Sequence, residues 1–255
     1  FGVIRWRQII HSSLMRQIKE HVPIQSDRHD AIMRVINRSF VVVLVSTIIG
    51  LVYVVLGARV FSDAQLMMIN LEDGIIEYAT ALLFLSCSFI SAYLAYSFRY
   101  RTTHVFSYLV LGVGFFLCFG EEISWGQGLL GLKTIDVMAA YNVQNENNLH
   151  NLMGYFADHI FIFSVFVYGC VLPVLKHSFA FFRKLFGFIG IPIPSPGLAV
   201  GFLIISMIHS WTVYELVAPM PFLRIAELRE FLTAIGFSVL MYESRLLMHG
   251  AARAG

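Results

Sequence analysis

The sequence predicts an all-α fold, a polytopic membrane helix bundle with about six transmembrane helices. Three observations carry that prediction. The 255 residues are 58% hydrophobic and only 13% charged, with a mean hydropathy of +0.73, far from the balance of soluble domains. The apolar residues form continuous runs of about 20, the length a helix needs to cross a hydrocarbon core of about 30 Å. These runs lack the two-residue alternation of a barrel wall, and the few charges are segregated along the chain.

Residues 1–38 read as a cytoplasmic basic interfacial segment. Val3, Trp6, Ile10, Leu14 and Ile18 recur at helical spacing while Arg5, Arg7, Arg16 and Lys19 fall elsewhere, the pattern of a helix lying in the membrane interface. The transmembrane domain occupies 39–248, with spans expected at Phe40–Ala58, Ile75–Ser97, Val105–Trp125, Leu152–Leu175, Leu198–Val217 and Phe222–Leu247. Residues 249–255 form a cytoplasmic tail. Between the fourth and fifth spans, the aromatic stretch from Phe179 to Phe188 is expected on the inner face, and Pro192, Pro194 and Pro196 end any helix there.

The basic residues set the orientation. Fourteen of the 18 Lys and Arg fall on the side of the termini, leaving only Arg59, Lys133, Arg224 and Arg229 opposite. By the positive-inside tendency both termini are cytoplasmic in a bacterial inner membrane. Twelve of the 16 acids fall on the outer side by the same count. Loop acids such as Asp63 and Asp136 need no role beyond solvation. Glu77, Glu121, Glu122, Asp158, Glu215, Glu227 and Glu230 differ, because hydropathy puts them inside or at the rim of the membrane, where an unpaired charge costs several kcal/mol. A net charge of +2 is too little to suggest a nucleic-acid partner, and none is expected. The expected partners are the lipid bilayer and other membrane protein subunits. Cys87, Cys118 and Cys170 lie in apolar runs without a CxxC pair and read as small buried hydrophobes.

Two segments concentrate the polar groups. The third span closes on Gly120-Glu-Glu-Ile-Ser-Trp-Gly-Gln. Neighbouring residues diverge by about 100° on a helix, so Glu121 and Glu122 cannot face the same partner, and one can hold a ligand while the other bonds elsewhere. The fourth span is preceded by Asn142-Val-Gln-Asn-Glu-Asn-Asn-Leu-His-Asn. A helix beginning near Asn145 would put Glu146, His150, Asn151 and Asp158 on one face, a set suited to a divalent metal or a proton relay and equally to an Asn-rich cap. His209 and Glu215 lie in the outer half of the fifth span. Glu77, Glu227 and Glu230 lie in first helical turns, where favourable interaction with the helix dipole is a sufficient explanation for each one singly.

These two motifs, preceded by Glu72-Asp-Gly-Ile-Ile-Glu-Tyr, resemble a family of bacterial multi-pass membrane proteins over roughly residues 70–155. The resemblance implies a membrane-embedded helical fold and no assigned activity. Glu121-Glu122 followed by Gln127-Gly-Leu-Leu is also similar to the glutamate pair of CPBP-type intramembrane proteases. The chain departs from that pattern at Gly126, where those enzymes have Arg, and has no recognisable FxxxH motif.

The leading expectation is therefore a metal-assisted hydrolase or transferase acting on a lipid or membrane-embedded substrate. In it Glu122, Glu146 and His150 hold the ion, Glu121 is the general base, and Asp158 completes the catalytic pocket. The alternative is a non-catalytic accessory or assembly subunit of a larger membrane complex, with His159 and His209 as axial ligands to haem or a pigment. A small-cation transporter is disfavoured, because the acids crowd one leaflet. The orientation is directly testable. In a background without Cys87, Cys118 and Cys170, a Lys133→Cys variant should be blocked by an impermeant outer-side thiol reagent, and blocking only from the cytoplasm would invert the topology.

Overall fold

A computed structural model describes residues 36–71, 73–135, 147–148, 153, 155–208 and 222–252. All regular structure among them is helical. Helix α1 (Ile36–Val60) is followed by α2 (Asp63–Asn70), α3 (Ile75–Ser97), α4 (Thr102–Glu122) and the single turn α5 (Gln127–Leu130). Then come α6 (Tyr155–Phe166), a π-turn (Val167–Val171), α7 (Leu172–Ser178), α8 (Ala180–Ile189), α9 (Pro196–Met207) and α10 (Ile225–Ala252). The expected basic segment over 1–35 lies outside the described residues.

Four helical runs among the described residues are long and apolar enough to cross a membrane: Ile36–Val60, a run ending with α3 at Ser97, Thr102–Glu122 and Phe156–Ser178. No more than 33% of any of their apolar windows is buried within the chain, so most of each surface is left for acyl chains. Exposed Ile49, Phe89, Phe106 and Phe163 illustrate that outer face. The expected fifth span begins as α9, which has only 12 residues in the described part. The expected sixth corresponds to α10, which differs in kind because it carries Glu227, Arg229, Glu230, Glu243 and Arg245.

Hydrocarbon supplies no hydrogen bonds, so helices in it must satisfy their own polar groups. The hydroxyls of Ser46, Thr47, Ser86, Ser206 and Ser238 do so by donating to the carbonyl four residues back. Other hydroxyls join helices. Ser88 Oγ donates to the Gly112 carbonyl at 2.8 Å, where α3 meets α4. Ser91 Oγ reaches Met241 Sδ at 3.2 Å, and Cys87 Sγ lies 3.3 Å from Ser238 Oγ, tying α3 to α10. Small residues at these crossings let backbones approach closely. Cys87 is buried and, like Cys118 and Cys170, is a free thiol.

The core is aromatic. Phe237 of α10 meets Phe115 of α4 and Phe202 of α9 with ring centroids 5.2 Å apart, and Tyr168 of the π-turn at 5.9 Å. Phe202 is fully buried between Gly169 and Gly236. A Cβ on Gly169 would stand 2.6 Å from both Cβ and Cγ of Phe202, so this glycine is required by close approach rather than by its backbone angles.

The aromatic connection forms helix α8. It buries Phe186, exposes Arg183 and Lys184, and stops at Gly190 in the left-handed region (φ 77°). The first two turns of α4 receive its end: Thr103 Oγ1 donates to the Phe188 carbonyl and Ser107 Oγ to that of Ile189, satisfying carbonyls that a helix terminus leaves without partners. At the same end of the bundle, Ser195 caps α9 by accepting from Leu198 N and donates its hydroxyl to Glu243 Oε1 at 2.7 Å. Glu243 is only 3% exposed, so a single serine both starts α9 and anchors it to α10. Gly169→Val should force Phe202 from its slot, costing about 1–3 kcal/mol as overpacking does. A drop of several degrees in the thermal midpoint in detergent would register it, and an unchanged midpoint would show that the slot is not tight.

Candidate functional site: an acidic cluster at one end of the bundle

Helix α4 ends at Glu122 rather than continuing to Trp125 as expected. Ser124 (φ 44°) and Trp125 (φ 53°) are both in the left-handed region, followed by Gly126 (φ 83°). Such angles cost roughly 1–3 kcal/mol per non-glycine residue and persist only when the surroundings impose them. The reversal folds the Trp125 indole back over Gly120, where a Cβ would come within 2.8 Å of the ring. From there Trp125 Nε1 donates to Glu121 Oε1 at 2.9 Å. The two adjacent glutamates thus diverge as helical geometry requires, Glu121 toward the indole and Glu122 toward α10.

Three carboxylates meet there. Oxygens of Glu122, Glu227 and Glu230 all lie within 4.8 Å of one another, and all three residues are partly buried. The spacing of Glu227 and Glu230 puts both on one face of α10, about a turn apart. Glu77 of α3 is near enough to interact electrostatically with both Glu122 and Glu230. It is buried and accepts from Asp73 N at 2.5 Å, while Arg224 lies 3.7 Å from Glu227. Among the described residues acids outnumber the cations beside them, and mutual repulsion in a poorly solvated place has to be relieved by protons or by a bound cation.

On another face of α10, Arg229 is ion-paired to Asp158 of α6. Arg229 is 2% exposed and donates a further bond to the Ile208 carbonyl. Asp158 is thereby committed to the arginine, and the pair locks α6 to α10. The sequence reading did not single out Arg229. Its signal was available, since an arginine placed at membrane depth by hydropathy must have an acid partner.

The second motif packs on the first. Fully buried Asn148 donates from Nδ2 to Ser124 Oγ at 3.1 Å. Gln127 Oε1 accepts from Asn147 N at 2.6 Å, and Gln127 Nε2 donates to Thr134 Oγ1. Asn147 Oδ1 accepts from Ile135 N. Neither Asn147 nor Asn148 is helical, which removes the premise of a helix from Asn145 with Glu146, His150 and Asp158 on one face. The cause is local competition: these asparagines bond to the loop over 124–135 instead of joining a helical ladder. Glu146, His150 and His209 lie outside the described residues. His159 is exposed on α6.

The third motif also converges. The Asp73 carboxylate accepts from Tyr78 Oη and sits against Gly128, where a Cβ would come within 2.7 Å of Asp73 Oδ1. Helix α4 packs chiefly on α3, whereas α6 packs on α9 and reaches α10 through Asp158.

No protein-family model, curated protein or solved structure matches the chain. The similarity to the CPBP glutamate pair accordingly rests on the short motif alone, Glu121-Glu122 followed by Gln127-Gly-Leu-Leu, and function has to be argued from the cluster. Asp158→Ala should destabilise the protein by about 3–5 kcal/mol, because it leaves Arg229 buried and uncompensated. Adding Arg229→Met should recover much of that loss. Thermal unfolding of the two variants in detergent checks this, and equal stability of the two would show that the pair does not act as a unit.

Proposed function

We propose that the chain is an integral membrane protein whose acidic cluster holds a divalent cation for metal-assisted hydrolysis or group transfer on a lipid or membrane-embedded substrate. The observation that carries the reading is the convergence of Glu122, Glu227 and Glu230 within 4.8 Å. Three hard oxygen donors suit Mg²⁺, Mn²⁺ or Ca²⁺ better than a softer ion. A cation also supplies the positive charge that three neighbouring carboxylates need. It would polarise a substrate oxygen or lower the acidity constant of a bound water.

The chain's own groups have distinct parts in this scheme. Glu122, Glu227 and Glu230 bind. Glu121, oriented by the Trp125 indole, is the general base. Arg229 and Asp158, neutralised by each other, brace α10 behind the cluster. The cluster faces the outer leaflet of a bacterial inner membrane, with six spans and both termini cytoplasmic. That orientation rests on the basic-residue count, with α9 and α10 as the last two spans.

Protein purified without chelator should contain about one divalent ion per chain by elemental analysis. Glu122→Gln and Glu230→Gln should each lose most of it with the fold retained, whereas Asp63→Asn, at the start of α2, should keep it. Metal-free wild type that remains functional in its membrane would overturn the cation reading in favour of the accessory-subunit reading, for which visible absorbance and co-purifying subunits are the signatures.

A further inference from the structure

Helix α8 lies across one end of the bundle rather than along it. The span Phe156–Ser178 stops at Ser178, and extended Phe179 (φ −123°, ψ 125°) breaks the chain before α8 begins at Ala180. Arg183 Nη2 donates back to the His177 carbonyl at 3.3 Å, holding the start of α8 to the end of α7. At its other end α8 is bonded by Thr103 and Ser107, in the first two turns of the span Thr102–Glu122. Its 10 residues cover about 15 Å, and both ends are pinned where spans end. The axis therefore runs along the membrane boundary, at the end of α4 opposite Glu122.

Three sectors differ around this helix. Phe182, Leu185, Phe186 and Ile189 turn toward the bundle and are buried or half-buried. Phe181 and Phe188, seven residues apart on one stripe, are 68% and 70% exposed. Arg183, about half a turn from Phe181, and Lys184, beside the stripe, are exposed as well. An aromatic edge next to a basic one is the division of a helix lying in a membrane interface. The adjoining turn between α3 and α4 repeats that chemistry: Arg99 lies 5.0 and 4.7 Å from the ring centroids of exposed Tyr96 and Tyr100, and Arg101 follows. The stretches of chain that supply this surface contribute no acid, since none occurs between Glu77 and Glu121 or between Asp158 and Glu215. Glu243, at the same end, is buried and engaged by Ser195.

We infer that this surface binds anionic phospholipids of the adjoining leaflet. Phe181 and Phe188 enter among the acyl chains, while Arg183 and Lys184, with Arg99 and Arg101, take the head-group phosphates. A one-sided distribution of charge orients a chain without calling for any particular lipid. The aromatic stripe beside the basic edge, held at the level where two spans end, makes the anionic head group the partner. The inference rests on the chain being embedded in a bilayer and does not depend on the cation.

The test reads lipid composition locally at α8. In a background without Cys87, Cys118 and Cys170, a fluorophore is attached at Gly187→Cys, beside Arg183, where a Cβ meets nothing within 4 Å. The labelled parent is reconstituted in vesicles of equal dioleoyl phosphatidylglycerol and dioleoyl phosphatidylcholine, with a doxyl quencher on the acyl chains of one lipid or the other. Phosphatidylglycerol should be favoured about fivefold in apparent affinity, the contribution of one basic side chain per head group. Arg183→Gln combined with Lys184→Gln should bring the two lipids to equality while both still quench, a sign that α8 keeps its place in the interface. Equal quenching by the two lipids in the labelled parent, or a preference unchanged by the double substitution, would overturn the inference. Absence of quenching by either lipid would overturn it too, and would give the surface to a protein partner or a second copy of this chain. Metal content of the same protein reports on the cation separately, so that either reading can fail without the other.

Discussion

Charge is expensive in hydrocarbon, and the arrangement of this bundle follows from where its few charges can be compensated. Helix α10 bears the largest share. Its first turns present Glu227 and Glu230 to Glu122 of α4 and Arg229 to Asp158 of α6, and its later turns present Glu243 to Ser195. Each is a contact with a different neighbour. The helix least like a simple apolar span therefore organises the others, and its burial follows from its charges as much as from Phe237, Leu232 and Leu240.

The pairing logic separates two kinds of acid that composition treats alike. Asp158 is matched with Arg229, and Glu243 with Ser195 and Ser39, and both acids join helices. Glu122, Glu227 and Glu230 are held together with Glu77 nearby, and among the described residues fewer cations than acids adjoin them. A strained reversal at Ser124 and Trp125 adjoins that excess, and side chains from Asn148 and Asp73 pack against the reversal and the turn that follows it. Three separate motifs are thus spent on shaping one end of the bundle, while the opposite end is closed by ordinary caps at Gly190 and Ser195.

Much of the architecture was legible because hydrophobic runs report directly on helices: the expected span Ile75–Ser97 coincides with α3. The convergence of acids at one end was legible for the same reason, since depth can be counted along a run. What escaped was lateral packing. Nothing in the run lengths shows that Glu122 faces α10, and Glu227 and Glu230 each had an adequate explanation in the helix dipole. The non-helical Asn147 and Asn148 escaped because an Asn-rich stretch is compatible with a cap or with side-chain bonding to a distant loop, and only the position of Gln127 and Ser124 decides between them.

The π-turn at Val167–Val171 adds a further consequence. Asp158 and Lys176 are eighteen residues apart, five whole turns of an ideal α-helix, which would align them along one edge. A wider turn between them takes up more chain for the same rotation, so α7 lags α6 by about a quarter turn. The segment thus has two angular registers, separated where Gly169 admits Phe202. Faces assigned on a wheel for α6 do not carry through to α7, and each half is free to match its own neighbours.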